Sequence, residues 1–523
     1  MSPRPEASGD PQPVAATRDT YIGLEPPGRP GETDVGATEY LFEQITRKLA
    51  RTPATFAGTS GLDGAGNGNG DGDEPLNPAI PAGYAFLAQF AIHDLLRQGA
   101  EADLGDGADR RLLRTRPLAL ETLYGHGPAM QAGCYASAPG LRTDRHAEFP
   151  ATRFRLAPAD IGIGRATVED GKCPVSIPLI ADARNDDNAI LSQFTALFQR
   201  VHNRAMDRLD HGRAAESPQA SAMNFAVVRA ALTHVYRRIL RHDLLARLLD
   251  PTVRAYFEAR HRAPAGPAGP GCATAADLAH AALRLGHAMI RARYCLSPDE
   301  PDSTPLHDIL LHTPDRAPAR PPSERDRPVA WGDFFDLPAG RRPQPSRRLS
   351  PALAEPLWDE TLFPPPAPHK PAGLAYRDLL RCTVSGVHRI DALCARARKA
   401  YPDLAEASPW LGDTALRHDA MRLWIRSEPD VDFGEMEEGL VQNPPPVLYY
   451  LIEAAVATGG RTFGPLASLI VAESIFGILD AHPEAPSNSV VASEAAKVIF
   501  GTTVPRTMPE LVLWLDDTGS AAP

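Results

Sequence analysis

Ile80-Pro81-Ala82-Gly83-Tyr84-Ala85-Phe86-Leu87-Ala88-Gln89-Phe90-Ala91-Ile92-His93-Asp94 is the stretch on which the reading of this chain turns. A turn containing Pro78, Pro81 and Gly83 leads into apolar positions at Tyr84, Phe86, Leu87, Phe90, Ala91, Leu95 and Leu96, the pattern of a buried helix over 84–97. Inside that pattern Gln89 and His93 stand four residues apart and share one face. Burying an amide and an imidazole costs free energy unless each has a partner or a task. Taken alone, His93 reads as a satisfied core histidine. Paired with Gln89 it becomes a candidate site.

Working outward, the chain has 523 residues, of which 43% are hydrophobic, ample for a large core. A formal charge of -11, with arginines scattered among acids, excludes nucleic acid as a main partner, because no basic stripe is present to neutralise phosphates. The opening Met1-Ser2-Pro3-Arg4-Pro5-Glu6 lacks the apolar segment of a secretory signal. The apolar run from Gly464 to Leu479 contains Glu473 and is too short to span a bilayer, so no membrane partner is expected. Six cysteines without C-x-x-C spacing fit free thiols in a reducing cytoplasm, filling packing roles.

Residues 1–75, rich in Pro, Gly and Asp and ending in the Gly/Asn/Asp tract from Gly58 to Asp73, read as a flexible extension that carries a short helix over 39–49. From residue 76 to 523 helical periodicity dominates and strand-like alternation is scarce. The expected fold is therefore mainly α, one large helical domain with little β structure. Three more helices bear on chemistry. One runs over 186–209 with Asn185 or Asp186 as N-cap, one over 275–292 with Thr274 as N-cap and His280, Arg284 and His287 along it, and one over 373–387 containing Asp378.

Two further motifs follow the opening stretch in order. Asp182-Ala183-Arg184-Asn185-Asp186-Asp187-Asn188 precedes an apolar helix that ends in His202-Asn203-Arg204, and Arg284-Leu285-Gly286-His287 comes later. With Trp331-Gly332-Asp333-Phe334-Phe335, Gln344 to Leu349, Leu374 to Arg381 and Glu453 to Gly477, these segments resemble the haem peroxidases of the peroxidase-cyclooxygenase superfamily, in its bacterial branch. The resemblance spans roughly 76–480 and is weaker over 125–178 and 390–440. It reverses the plain reading of His93.

The resemblance implies haem b and an enzyme that uses hydrogen peroxide to form a ferryl intermediate, which then oxidises a small organic substrate, as in specialised metabolism. His93 would be the distal acid/base, Arg184 the electrostatic stabiliser and Gln89 a pocket hydrogen-bond donor. His287 would be the axial ligand of the haem iron, Arg284 a partner for a haem propionate, and Asp378 the acceptor of the other imidazole N–H, where the family usually has asparagine. The chemistry suits these residue types. A histidine of near-neutral pKa can carry a proton from one peroxide oxygen to the other, and a guanidinium offsets developing negative charge without losing its own proton. A carboxylate behind an axial histidine makes it a stronger donor.

Departures narrow the expectation. The ester-forming aspartate that relatives place just before the distal histidine is Ile92, and the glutamate three residues after the arginine is Asp187, so haem is non-covalent or holds at most one link, through Asp187. Arg284 occupies the position of the radical tyrosine of fatty-acid oxygenating relatives, which argues against that chemistry. Asp94 and the loop Thr115 to Tyr124 match the family's calcium site in position, but Ala119 replaces the expected aspartate. Asp94 is thus a candidate calcium ligand, with local capping as its plain alternative. His202 and His280 read as structural, and Arg347 and Arg348 as a surface or propionate-side pair. Two alternatives to a peroxidase acting on organic substrates stay open. One is a halide oxidiser, and the other a degenerate scaffold that binds haem or partners without catalysis.

Overall fold

The computed structural model describes residues 19–24, 32–56, 74–98, 112–136, 151–157, 162–170, 173–210, 218–262, 271–297, 303–311, 328–338, 341–428, 430–481 and 490–517. Helices carry most of these residues, and the strands form only two-stranded antiparallel ribbons. One continuous apolar core runs from Tyr21 to Leu515. Among the described residues no helix is long and apolar enough to cross a membrane.

The N-terminal region enters this core. Helix α1 (Val35–Arg51) is longer than the 39–49 segment expected, because Asp34 caps it by accepting from the Ala37 N–H at 2.9 Å. Its Leu41, Phe42 and Ile45 are fully buried, and α1 packs on the later helix Leu374–Val384. The segment before residue 75 therefore supplies a packed helix, whereas the tract 58–73 lies outside the described residues.

Helix α2 (Gly83–Leu95) carries the opening stretch. The strand Leu76–Pro81 leads into it, paired with Pro345–Arg347. The Ala82 N–H donates to the Gln344 carbonyl at 2.7 Å and the Gly83 N–H to the Phe334 carbonyl at 3.0 Å. Gly83 is required there: a Cβ would lie 2.6 Å from both the Phe334 carbonyl oxygen and the Phe335 ring. Two of the four later segments of the sequence resemblance, Trp331 to Phe335 and Gln344 to Leu349, thus dock on the start of α2. Arg347 and Arg348 belong to this junction and are buried, not a surface pair. Arg347 bonds Glu74 at 2.8 Å, and Arg348 donates to the carbonyls of Leu76 and Gly459.

Helix α3 (Ala189–Leu209) packs along α2 through Phe194 and Phe198, whose rings lie 5.5 and 5.1 Å from that of Phe90. It starts later than expected. Asn185 and Asp186 have other partners, so Asn188 becomes the N-cap, accepting from Leu191 N–H at 2.8 Å. Residues Ala183–Asp186 form a separate 3-10 turn. The helix expected over 275–292 is likewise divided. Thr274 caps Ala275–His280 with Asp277 in a capping box, but Asp277 also binds His388, and the chain bends at Ala281 and continues as a 3-10 helix over Ala282–Met289. Helix α4 (Leu374–Val384) then sets Asp378 against that 3-10 helix.

Phe42→Ala tests whether α1 belongs to the core. Truncating a fully buried phenylalanine costs about 3–5 kcal/mol, read as a lowered midpoint in thermal or denaturant unfolding. A helix merely lying on the surface would lose under about 0.5 kcal/mol for the same change.

Candidate active site

The last turn of α2 ends in a cluster of opposed charges. Asp182 caps the 3-10 turn and accepts from Arg184 Nε at 3.0 Å and Nη2 at 2.7 Å, and also from Arg114. Both guanidiniums reach the carbonyls at the helix end: Arg184 Nη2 donates to His93 O and Leu96 O, each at 2.9 Å, and Arg114 Nε donates to His93 O at 3.0 Å. Burial alone would raise the Asp182 carboxyl, but the bonds and charge of Arg184 and the charge of Arg114 hold it below its ordinary range. Of the other acids in this segment, Asp186 forms a bidentate pair with Arg165 at 2.9 and 2.6 Å and Asp187 is exposed.

His93 is buried, and its Nδ1 lies 2.9 Å from Asn185 Oδ1. An amide oxygen only accepts, so Nδ1 carries the proton and Nε2 keeps a lone pair. Burial first, and the nearby Arg184 charge second, lower this histidine to about 4. At neutral pH it is an uncharged base with a fixed tautomer. Gln89, one turn earlier and half-buried, accepts weakly from Asn188 Nδ2 at 3.5 Å, so its oxygen faces the segment that carries Asn188.

His287 lies on the 3-10 helix that packs against α2. Its Nδ1 donates to Asp378 Oδ2 at 2.7 Å, and its side chain is 29% exposed. Side chains three apart eclipse in a 3-10 helix, which sets Arg284 directly over His287, with Nε 4.0 Å from the same carboxylate. Between the two histidine-bearing elements, Ala88, Ile92 and Leu95 from one and Leu283, Gly286 and Met289 from the other line an aliphatic cavity with about 540 Å³ of empty space. A Cβ on Gly286 would meet nothing within 4 Å, so the space beside His287 is open. His287, Arg284 and Asp378 line a separate pocket with Leu379, Val447 and Leu448, and neither histidine lines the aliphatic cavity; the imidazole backed by a carboxylate and the guanidinium one turn away are the groups whose chemistry fits a haem iron and propionate.

Asp94 differs from the calcium expectation. Its oxygens accept from the backbone N–H groups of Leu120 at 2.7 Å and Thr122 at 3.0 Å and from the Thr122 hydroxyl at 3.2 Å. A cation needs oxygen ligands, and the loop offers Asp94 donors instead. Among the described residues no group of three or more His, Cys, Asp or Glu could hold a metal ion. His202 is structural: Nε2–H donates to the Thr152 carbonyl and Nδ1 accepts from the Tyr124 hydroxyl, both at 2.9 Å. Cys134, Cys272, Cys295, Cys382 and Cys394 are free thiols.

Sequence reasoning missed Arg114 and the pairing of Asn185 with His93. Asn185 had a signal, since it sits beside Arg184 in a polar cluster that must be satisfied once buried. Arg114 had none, because its partners are distant in sequence.

No family model matches the sequence, and no curated protein matches it. Solved structures do. Peroxidase A from Dictyostelium discoideum matches with a TM-score of 0.51 at 12% identity over 94% of each chain. The fatty acid alpha-dioxygenase of Oryza sativa matches with a TM-score of 0.48 at 13% identity, covering 85% of this chain and 77% of that one. The chain thus has the mainly helical peroxidase-cyclooxygenase fold.

Proposed function

We propose that this protein is a haem-dependent peroxidase of the bacterial branch, using hydrogen peroxide to oxidise a small organic substrate. The observation that carries the reading is the matched pair of histidines on two packed elements. Each is anchored through Nδ1, one to a neutral amide and the other to a carboxylate. His287 would hold the iron through Nε2, and Arg284 would face a propionate. Bound there, haem supplies the electrons that reduce the O–O bond of peroxide.

The chain's own residues handle the protons. His93 Nε2 takes the proton from the nearer peroxide oxygen and delivers it to the departing one, which leaves as water. Arg184 keeps His93 uncharged for that task and holds its backbone still. Its Nε and Nη2 are committed to Asp182 and the helix end, so Nη1 is the group left to face developing negative charge. Gln89 N–H groups orient the peroxide. Ile92 offers no carboxyl, so haem is non-covalent or holds one link through Asp187; acidified acetone should extract it in the first case and fail to in the second, where Asp187→Ala should restore extraction.

The haem-loaded protein should show a Soret band that shifts on adding peroxide. His93→Ala should slow that shift by about 10²–10⁴-fold with haem still bound, while His287→Ala should weaken haem retention. A parental rate in His93→Ala would rule out the base. The shift rate should be level above pH 5 and fall as pH drops through about 4, where His93 becomes protonated. Because the Arg184 charge lowers the His93 pKa, Arg184→Gln should move this acid limb to higher pH. Asp378→Asn should raise the Fe(III)/Fe(II) potential by removing the anion behind His287, and a lower potential would contradict the role given to Asp378.

A further inference from the structure

Outside the proposed site, Trp331 combines two features that no other side chain in its cluster shares. It is half-buried and lines a surface cleft with about 820 Å³ of empty space, bordered by Leu197, Val329, Leu337 and Val512 with Arg200 and Asp516 as polar groups. On its inner side its ring lies 5.6 Å from that of Phe194, which is 5.5 Å from that of Phe90 on α2, one residue from Gln89 and three from His93. A line of ring contacts therefore runs from the cleft to the helix that carries Gln89 and His93. Phenylalanine resists oxidation, whereas indole yields an electron readily, so along this line Trp331 is the group able to hold an oxidising equivalent.

We propose that Trp331 forms a second, surface site for one-electron oxidation of electron-rich aromatic donors, phenols or aryl amines, too large to enter the buried cavity. The inference rests on the peroxidase reading, which supplies hydrogen peroxide as oxidant. The donor stacks on the indole in the cleft. Trp331 gives one electron inward through Phe194 and Phe90, leaving an indole radical cation. That radical cation takes one electron from the donor, which releases its phenolic proton to solvent. Two donors are consumed per peroxide: two phenols and one hydrogen peroxide give two phenoxyl radicals and two waters. Arg200 at the cleft suits donors that carry a carboxylate or sulfonate.

Two substitutions separate the electron path from the cleft. Trp331→Phe keeps an aromatic ring among its neighbours but removes the oxidisable group. Gly332→Leu narrows the cleft and leaves the indole in place as the oxidisable group; beyond its two chain neighbours, a Cβ at Gly332 would meet only the Leu337 Cδ1, at 3.5 Å. The haem-loaded full chain is assayed with phenol and with a phenol tethered to a polyethylene glycol chain. It is also freeze-quenched after peroxide addition, with and without ring-deuterated tryptophan, and read by electron paramagnetic resonance. The parent should show a radical signal that narrows on deuteration. Trp331→Phe should lose this signal and about tenfold or more in kcat/KM for the tethered phenol, with free phenol unchanged. Gly332→Leu should keep the signal and lose the tethered phenol. Undiminished oxidation of the tethered phenol in Trp331→Phe, or a signal insensitive to tryptophan deuteration, overturns the surface site while the peroxide-dependent Soret shift persists. Absence of that shift in the parent overturns the peroxidase reading and this inference together.

Discussion

Asp182 holds two guanidiniums against the C-terminal carbonyls of the Gly83–Leu95 helix, and the position of His93 depends on that contact. A helix end exposes unpaired carbonyls and the negative pole of its dipole, so cations are favoured there. Two arginines converging on one carbonyl would repel each other without an anion between them. Asp182, buried and kept ionised by both, provides that anion. The bonds end on the His93 backbone, which fixes where the ring starts from, and Asn185 fixes how it turns. Removing one partner from such a buried cluster costs about 3–5 kcal/mol, because the remaining charges stay desolvated.

The two histidines differ in their acceptors and in their surroundings. Both donate Nδ1–H and keep Nε2 as a lone pair. For His93, burial first and the Arg184 charge second weaken its hold on a proton, against the bond to the Asn185 amide, which favours it. His287 donates to a carboxylate, which strengthens the opposite nitrogen as a donor to a metal. The same side chain thus sits in two different settings, one buried beside a guanidinium and bonded to an amide, the other bonded to a carboxylate.

How much of this was legible in the sequence follows from the range of each interaction. Gln89 and His93, one helical turn apart, and Arg284 and His287, three residues apart, were readable because local periodicity alone puts each pair together. Two expected helix starts show how competition for a cap decides the outcome. Thr274 capped as expected, whereas Asn185 and Asp186 were drawn away by His93 and Arg165, and the helix began at Ala189. Arg347 and Arg348 read as a surface or propionate-side pair, and nothing local showed that strand pairing with residues 76–81 would bury them. Asp94 and its loop matched a calcium pattern by position, but the direction of loop N–H groups is a backbone property invisible to residue spacing.

That loop explains how Arg114 reaches the helix end at all. Leu118 and Leu120 both adopt φ of 56°, a left-handed conformation that costs a branched, non-glycine residue about 1–3 kcal/mol. The strain is offset by Asp94, whose buried carboxylate accepts from Leu120 and Thr122 and whose carbonyl accepts from Leu118. With the loop so curled, residues 112–114 lie beside the chain leaving the helix: Arg97 N–H donates to Leu112 O at 2.9 Å and Arg114 N–H to Leu95 O at 3.0 Å. The Arg114 side chain then has Asp182 and the His93 carbonyl within reach. Adjacent residues on one helical turn therefore divide the labour. Asp94 folds the loop that delivers Arg114, Arg114 helps fix the backbone of His93, and the imidazole is left with one free nitrogen for chemistry.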